Sequence, residues 1–554
     1  MTRSTVFLSL ALTLGLAATT NGQATAQSDR GASRINPQEI DAHLRFLSSD
    51  LLEGRAPATR GGELTEQYIA TELQTFGIKP GVGDSSYFQR VPIDVVKADP
   101  ASIKVTASGK ANANLRFTDD VVVWPGSATE SSAAHGELVF VGYGASAPEY
   151  KWDDFKGTDV RGKILLVLVN DPPALPGEPN LFGGKAMTYY GRWTYKFEEA
   201  ERRGAAGMLI VHTTERAGYP WSVVVSSNST EHRILPRPAS LPAPIGVRGW
   251  ITDSAAAALL AQAGLNMAQL RKQAESRSFR PVPTGIIIDA SMKNSLQHMS
   301  SNNVVGVLTG LDPKVRDQYV AYSAHWDHFG IGPAINGDSI YNGAVDNASG
   351  VATVLTIAHA AAEGVRPRRS QLFIFVTAEE SGLLGSQYFA EHPTVPASKI
   401  IAALNMDVVT LSGRVRDLDV MGDNKSSLGP ALAQMLRPEG VQLSPDAHPE
   451  QGHFYRSDHF SFAKVGIPSV SIGAGTDYVG RPAGWGLQQA DDYTAHRYHQ
   501  PSDEYHRDFD LRGAAQLAEI VYRFGFSLAN GDTVPTWNAD AEFKAIRESS
   551  QKGQ

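Results

Sequence analysis

The 554-residue chain is 42% hydrophobic and carries a formal net charge of -8. That length exceeds one ordinary core, so two or more domains are expected, and the mild acidity argues against a nucleic-acid partner, which would want a basic patch. With no cysteine, thiol catalysis, cysteine-rich zinc knuckles and iron–sulfur clusters are excluded, and stability must come from the core and from metal rather than from disulfides.

In chain order, Arg3, the apolar stretch 6–18 and Ala24-Thr25-Ala26 read as a secretory signal over residues 1–26. The apolar stretch is shorter than the about 20 residues that a membrane span needs. An exported bacterial protein, periplasmic or secreted and with no stable membrane partner, is expected. Residues 35–114 read as a first catalytic segment. It holds helices at 37–48 and 63–76, the latter with Leu64, Tyr68, Leu73 and Phe76 as its main apolar positions and Gly77 as C-cap. The loop Leu52-Glu-Gly-Arg55-Ala-Pro joins them.

Residues 115–288 change character. Strands are expected at 137–141, 163–169 and 207–211 and a short helix at 197–203, with no clustered His, Asp and Glu. This is the pattern of an accessory domain inserted into a catalytic one. From 295 to 530 the order is strand, loop, helix, repeated: strands at 304–308, 319–323, 372–376, 400–404 and 469–472, helices at 348–362 and 514–528. Such alternation predicts an α/β sheet covered by helices on both faces. The Gly-rich stretch 473–496, containing Trp485, reads as a pocket wall or lid, and the charged residues 531–554 as a mobile tail.

Five metal-ligand types stand in the second catalytic segment, most of them just past the predicted strand ends: His325, Asp346, Glu380, Asp407 and His499. Open α/β sheets gather their sites at the carboxyl ends of strands. Imidazole and carboxylate suit a borderline-soft ion such as Zn²⁺. Two ions about 3.5–4 Å apart need a bridging carboxylate with capping ligands on each side. Asp346, in the loop Gly-Ala-Val-Asp-Asn-Ala-Ser-Gly, is the expected bridge. His325 and Asp407 complete one ion, Glu380 and His499 the other, giving two Zn²⁺ per chain.

Glu379, left free, would act as general base. Asp327 is spaced to orient His325 as a hydrogen-bond acceptor. Tyr498 would stabilise the developing oxyanion, with Tyr455 the second choice on the substrate side. Asp458, beside His459 in Arg-Ser-Asp-His, is structural or lines the substrate pocket, and His328 is a neighbour. Singly, each residue also reads as a cap, a solvated charge or a core histidine; five ligand types in this order do not.

At these residues the chain resembles the co-catalytic di-zinc aminopeptidases of the secreted Streptomyces and Vibrio type. His-x-Asp, Asp-Asn-Ala-Ser-Gly, Glu-Glu, Asn-x-Asp and the late His match in type and order, over most of 301–530. The resemblance implies an eight-stranded mixed sheet sandwiched by helices, two zinc ions and release of N-terminal amino acids from peptides. It also supports Glu379 as base, Asp346 as bridge and Tyr498 as oxyanion tyrosine. Gly-Lys-Ile-Leu-Leu-Val and Glu-Glu-Ala-Glu-Arg-Arg-Gly-Ala-Ala-Gly in the inserted block resemble a protease-associated domain.

The reading is a zinc aminopeptidase. A carboxypeptidase or dipeptidase of the same fold remains open, because the metal site does not say which terminus is held and Arg456, Arg481 and Arg497 lie nearby in sequence. A glutaminyl cyclase has one zinc, and a non-catalytic relative would have lost ligands. Oligomeric state is not encoded in any motif.

Overall fold

The computed structural model describes residues 30–229, 231–237, 240–446 and 448–552; the expected signal segment lies outside them. The chain divides into two compact units. Among the described residues, the first comprises residues 30–91, 300–446 and 456–552, and the second 92–299 and 448–455. The second unit is therefore wider than the 115–288 segment expected from sequence, and it takes in a short return of the chain just before Arg456.

Among the described residues the first unit is built on a mixed sheet that includes β1 (Lys79–Pro80), β2 (Val282–Leu308, in this unit from Ser300), β3 (Tyr319–His325), β4 (Ser370–Val376), β5 (Ile400–Asn405), β6 (Asp417–Met421), β7 (Gln442–Ser444) and β8 (Ser469–Ala474); the strand Phe88–Ala98 also pairs with β2. Their order is β1–β2–β4–β3–β5–β8–β6–β7. The run β4–β3–β5–β8 is parallel, and β2 and β6 flank it antiparallel. The central strands are buried on both faces and read as continuous apolar runs, as parallel strands must.

Side-chain alternation divides the core in two. Val320, Tyr322, Phe373, Phe375 and Leu404 point to one face. There they meet α1 (Pro37–Leu47), α2 (Arg60–Thr75), α3 (Ser349–Glu363) and the later helix α8 (Arg512–Asn530). Ala321, Leu372, Ile374 and Ala403 point to the other, against Phe389 of α4 (Leu384–Glu391) and Phe462 of α6 (His459–Lys464). The remaining helices are α5 (Leu428–Leu436), α7 (Trp485–His496) and α9 (Lys544–Lys552). The mixed sheet covered by helices that the sequence predicts is present.

The stretch 473–496 contains α7, which has a single buried residue, Gly486, and so no apolar stripe to read. One expectation differs from the structure. The tail from residue 531 is packed over much of its length: Trp537 and Phe543 are buried and α9 covers part of it. Its charged composition concealed two aromatic anchors.

The second unit has a sheet with a parallel centre, Val247–Thr252, Gly207–His212, Ile164–Leu168 and Ser131–Phe140. Antiparallel strands extend it at both ends. Among the described residues no helix is long and apolar enough to cross a membrane.

Candidate metal centre

Strand ends bring the ligand types together in the first unit. His325 closes β3, Glu379 and Glu380 follow β4, and Asp407 lies two residues past β5. Asp346 sits in the turn that opens into α3. The Asp346 carboxylate is shared between two imidazoles: Oδ1 lies 3.2 Å from His325 Nε2 and Oδ2 3.2 Å from His499 Nε2. His325 Nε2 is also 3.3 Å from Asp407 Oδ1, and His499 Nε2 is 3.3 Å from Glu380 Oε2. The five side chains thus form two ligand groups joined by Asp346. Ligand atoms of His325, Asp346 and Glu380 converge within 4.8 Å.

The electrostatics suit a cation. Burial pushes the carboxyls of Glu379 and Glu380 well above the usual range, and neighbouring acids, Asp458 and Asp407 for the first and Asp346 for the second, add to it. Burial opposes the charge on His325, but Asp407, Glu379 and Asp346 outweigh it and hold the imidazole well above its ordinary value. Burial likewise opposes the charge on Asp346, and the two facing imidazoles offset it, leaving the carboxyl well below its usual range. This borderline-soft donor set, short of positive charge, fits divalent zinc.

Two of these side chains, His325 and Glu380, have close supporting contacts. His325 Nδ1 lies 3.2 Å from the Asp327 carbonyl oxygen, which can only accept, so that nitrogen carries a proton and Nε2 is turned toward the acids. The Asp327 carboxylate, expected from sequence in that role, is 3.9 Å away and instead accepts the Glu379 main-chain N–H at 3.0 Å. His328, a neighbour as expected, donates from Nδ1 to Glu380 Oε1 at 2.6 Å. Burial pushes this imidazole down to about 3, so the ring is neutral.

The Tyr498 ring stacks on His499 at 3.7 Å and is 42% exposed. Partial burial and the surrounding carboxylates push its phenol up, so the O–H stays on. Phe329 packs edge-on against the same histidine at 4.7 Å. Asp458 is fully buried rather than lining an open pocket, and burial pushes its carboxyl up to about 7. Tyr455 belongs to the second unit, where its buried ring packs against Tyr189.

Residues not singled out from sequence hold the frame. Arg55 is 1% exposed, and its guanidinium donates to the carbonyls of Trp326 (2.9 Å), Leu47 (2.6 Å), Asn342 (2.5 Å) and Gly343 (2.9 Å). It ties the residue after His325 to the approach to Asp346. The Asp503 carboxylate accepts the N–H groups of Val345 and Asp346, both at 3.0 Å. Its signal was the sequence His-Gln-Pro-Ser-Asp, in which only the histidine was used. Ala378, Val408 and His499 all have φ between 54° and 58°, a left-handed backbone that non-glycine residues rarely adopt and that clusters at functional sites.

Residues 303–525 match the family profile described as Peptidase family M28. Among curated proteins, "Probable glutamate carboxypeptidase AMP1" of Arabidopsis thaliana is 25% identical over 492 residues, which is 79% of this chain and 62% of the plant protein. "Probable leucine aminopeptidase 2" of Aspergillus oryzae is 29% identical over 226 residues, 39% of this chain and 43% of the fungal protein. The chain thus spans less than two thirds of the length of either relative. An aminopeptidase from Aneurinibacillus sp. strain AM-1 shares the fold, with a TM-score of 0.50 at 18% identity over 92% of this chain and 97% of that one.

Proposed function

We propose that the protein is an exported zinc aminopeptidase that hydrolyses the first peptide bond of peptides, using two ions and Glu379 as general base. The observation that carries this is the Asp346 carboxylate set between His325 and His499, with Asp407 and Glu380 at the outer edges. The match of residues 303–525 to a peptidase family supports it. Zinc bound there would polarise a substrate carbonyl and make water easier to deprotonate.

Glu379 takes the proton from the attacking water and passes it to the leaving amine. Its raised affinity for protons in this buried acidic setting suits a group that must both accept and return one. The Tyr498 O–H donates to the carbonyl oxygen as negative charge develops. His328 and Asp327 hold Glu380 and the Glu379 main chain still through these steps. The second unit is read as the inserted protease-associated domain.

One peptide in three forms, free, N-acetylated and C-amidated, tests the reading with and without chelator and added Zn²⁺. Cleavage that survives amidation, is lost on acetylation and needs zinc supports it. Loss on amidation alone moves the protein to the carboxypeptidase activity named for its plant relative. Cleavage of none of the three overturns the peptidase reading.

A further inference from the structure

Resting on the aminopeptidase reading, we infer that the strand from Phe329 to Ile335 is a docking strip for the leaving part of the peptide, the residues on the carboxyl side of the cleaved bond, and that it selects apolar ones. Phe329 packs edge-on against the His499 ring at 4.7 Å, the same imidazole on which Tyr498 stacks at 3.7 Å. The strip therefore begins at the metal centre. Phe329 is 40% exposed, Ile331 65% and Ile335 40%.

The local fold holds this apolar surface open. Strands Gly330–Ile335 and Asp338–Tyr341 pair antiparallel across Asn336-Gly337. Both turn residues have positive φ, 54° and 93°, as a tight two-residue hairpin turn requires. Gly330 and Gly332 face inward: a Cβ on the first would lie 2.6 Å from Ala56 Cβ, and on the second 2.7 Å from the Tyr341 ring. Side chains alternate along a strand, so Ile331 stands on the opposite, outer face. The Tyr341 hydroxyl donates to the Pro333 carbonyl at 3.1 Å and fastens the strand from within.

Chemistry and length name the occupant. Residues 329–337, Phe-Gly-Ile-Gly-Pro-Ala-Ile-Asn-Gly, carry no charged side chain. Single exposed apolar residues are ordinary, but a run of them continuous with a site marks a binding surface. An extended strand from Phe329 to Ile335 covers about 20 Å, the length of about six residues of bound peptide. An aminopeptidase admits one residue on the amino side of the bond it cuts. A strip of this length can therefore serve only the carboxyl side, where its apolar character favours leucine, valine or phenylalanine over aspartate or glutamate.

Three peptides test this, all beginning Leu-Ala and all amidated at the carboxyl end, so that length changes without a change in terminal charge. One is the dipeptide amide. The other two are hexapeptide amides, one continuing Val-Ala-Leu-Ala and the other Asp-Ser-Asp-Ser. Release of leucine by the zinc-loaded, full-length protein is measured for each. The quantity read is kcat/KM of each hexapeptide divided by that of the dipeptide, so that a general loss of activity cancels.

In wild type the apolar tail should raise this ratio to about tenfold, chiefly through a lower KM, and the acidic tail should leave it near one. Ile331→Ser combined with Ile335→Ser changes two exposed positions and should lower the apolar ratio about 5–10-fold. Ile331→Lys should shift the preference toward the acidic tail.

Equal ratios for the two tails in wild type overturn the inference, and so does a double variant that keeps the wild-type ratios. Release of no leucine from any of the three peptides by wild type removes the aminopeptidase reading itself, and the inference with it.

Discussion

Asn347 clamps Met406: its side-chain Nδ2 donates to the Met406 carbonyl oxygen at 3.0 Å, fixing the loop of Asp346 beside the loop of Asp407. The same side chain accepts from the Gly350 and Val408 N–H groups at 3.0 and 3.3 Å. The approach is possible because residue 350 has no side chain. A Cβ there would lie 2.2 Å from Asn347 Oδ1 and 2.5 Å from Met406 O. Gly350→Ala should therefore force the two loops apart and cost about 1–3 kcal/mol, with zinc content falling in step. Urea unfolding and metal analysis of the purified variant check this; an unaltered midpoint would show that the clamp tolerates the methyl group.

Glu379→Gln and Tyr498→Phe separate chemistry from assembly. Removing the base should lower kcat by about 10²–10⁴-fold, and removing the phenol by about 10²-fold, with zinc content unchanged in both. Steady-state kinetics with metal analysis on the same samples decides the matter. A Glu379→Gln variant that loses its zinc would make this residue a ligand rather than a base.

Arg55 supports the site through main-chain oxygens rather than an ion pair. Arg55→Met would leave four carbonyls without that donor in a buried setting, at a cost on the order of 3 kcal/mol or more. Arg55→Lys keeps the charge but loses the planar fork and should fall between. Denaturant unfolding of the zinc-stripped proteins should rank wild type above Lys above Met. Equal stability of the Met variant and wild type would contradict this role.

Metal removal should make stability sensitive to pH in a definite direction. In the stripped protein Glu379 and Glu380 hold protons well above the ordinary carboxyl value of 4.5, and His325 well above 6.5. The folded state then binds protons that the unfolded chain has released, so these groups contribute most at low pH and their contribution is lost as pH rises. Bound zinc compensates the clustered acids. The gap in Tm between zinc-loaded and chelator-treated protein should therefore widen from about pH 5.5 to about pH 8. A gap that narrows over that range would argue against a cation at this cluster.

The candidate ligands His325, Asp346, Glu380 and Asp407 were legible in the sequence because each lies close to a strand or helix whose apolar pattern is local: His325 at the end of a buried strand, Asp346 before an alanine-rich helix. The supports were not legible, because their partners are remote. Arg55 reaches oxygens 271 and 287 positions away, and nothing near it in the chain hints at a bond to the residue after His325. Spacing suggested the Asp327 carboxylate as the partner of His325, but its main-chain oxygen faces that ring and its carboxylate accepts the Glu379 N–H. Tyr455 lies in the second unit, whose last run ends at that residue, and the first unit resumes at Arg456.

The packed segment after Asn530 has a practical side. Trp537 donates from its indole nitrogen to the Gly466 carbonyl at 2.9 Å, and Lys425 pairs with Glu542 at 3.2 Å. Arg547 reaches the Ala397 carbonyl. These last residues behave as a strap across loops from three separate stretches of the catalytic unit. Trimming them as dispensable would uncover the apolar bed of Trp537 and Phe543, and limited proteolysis from the carboxyl end should stall before it reaches them.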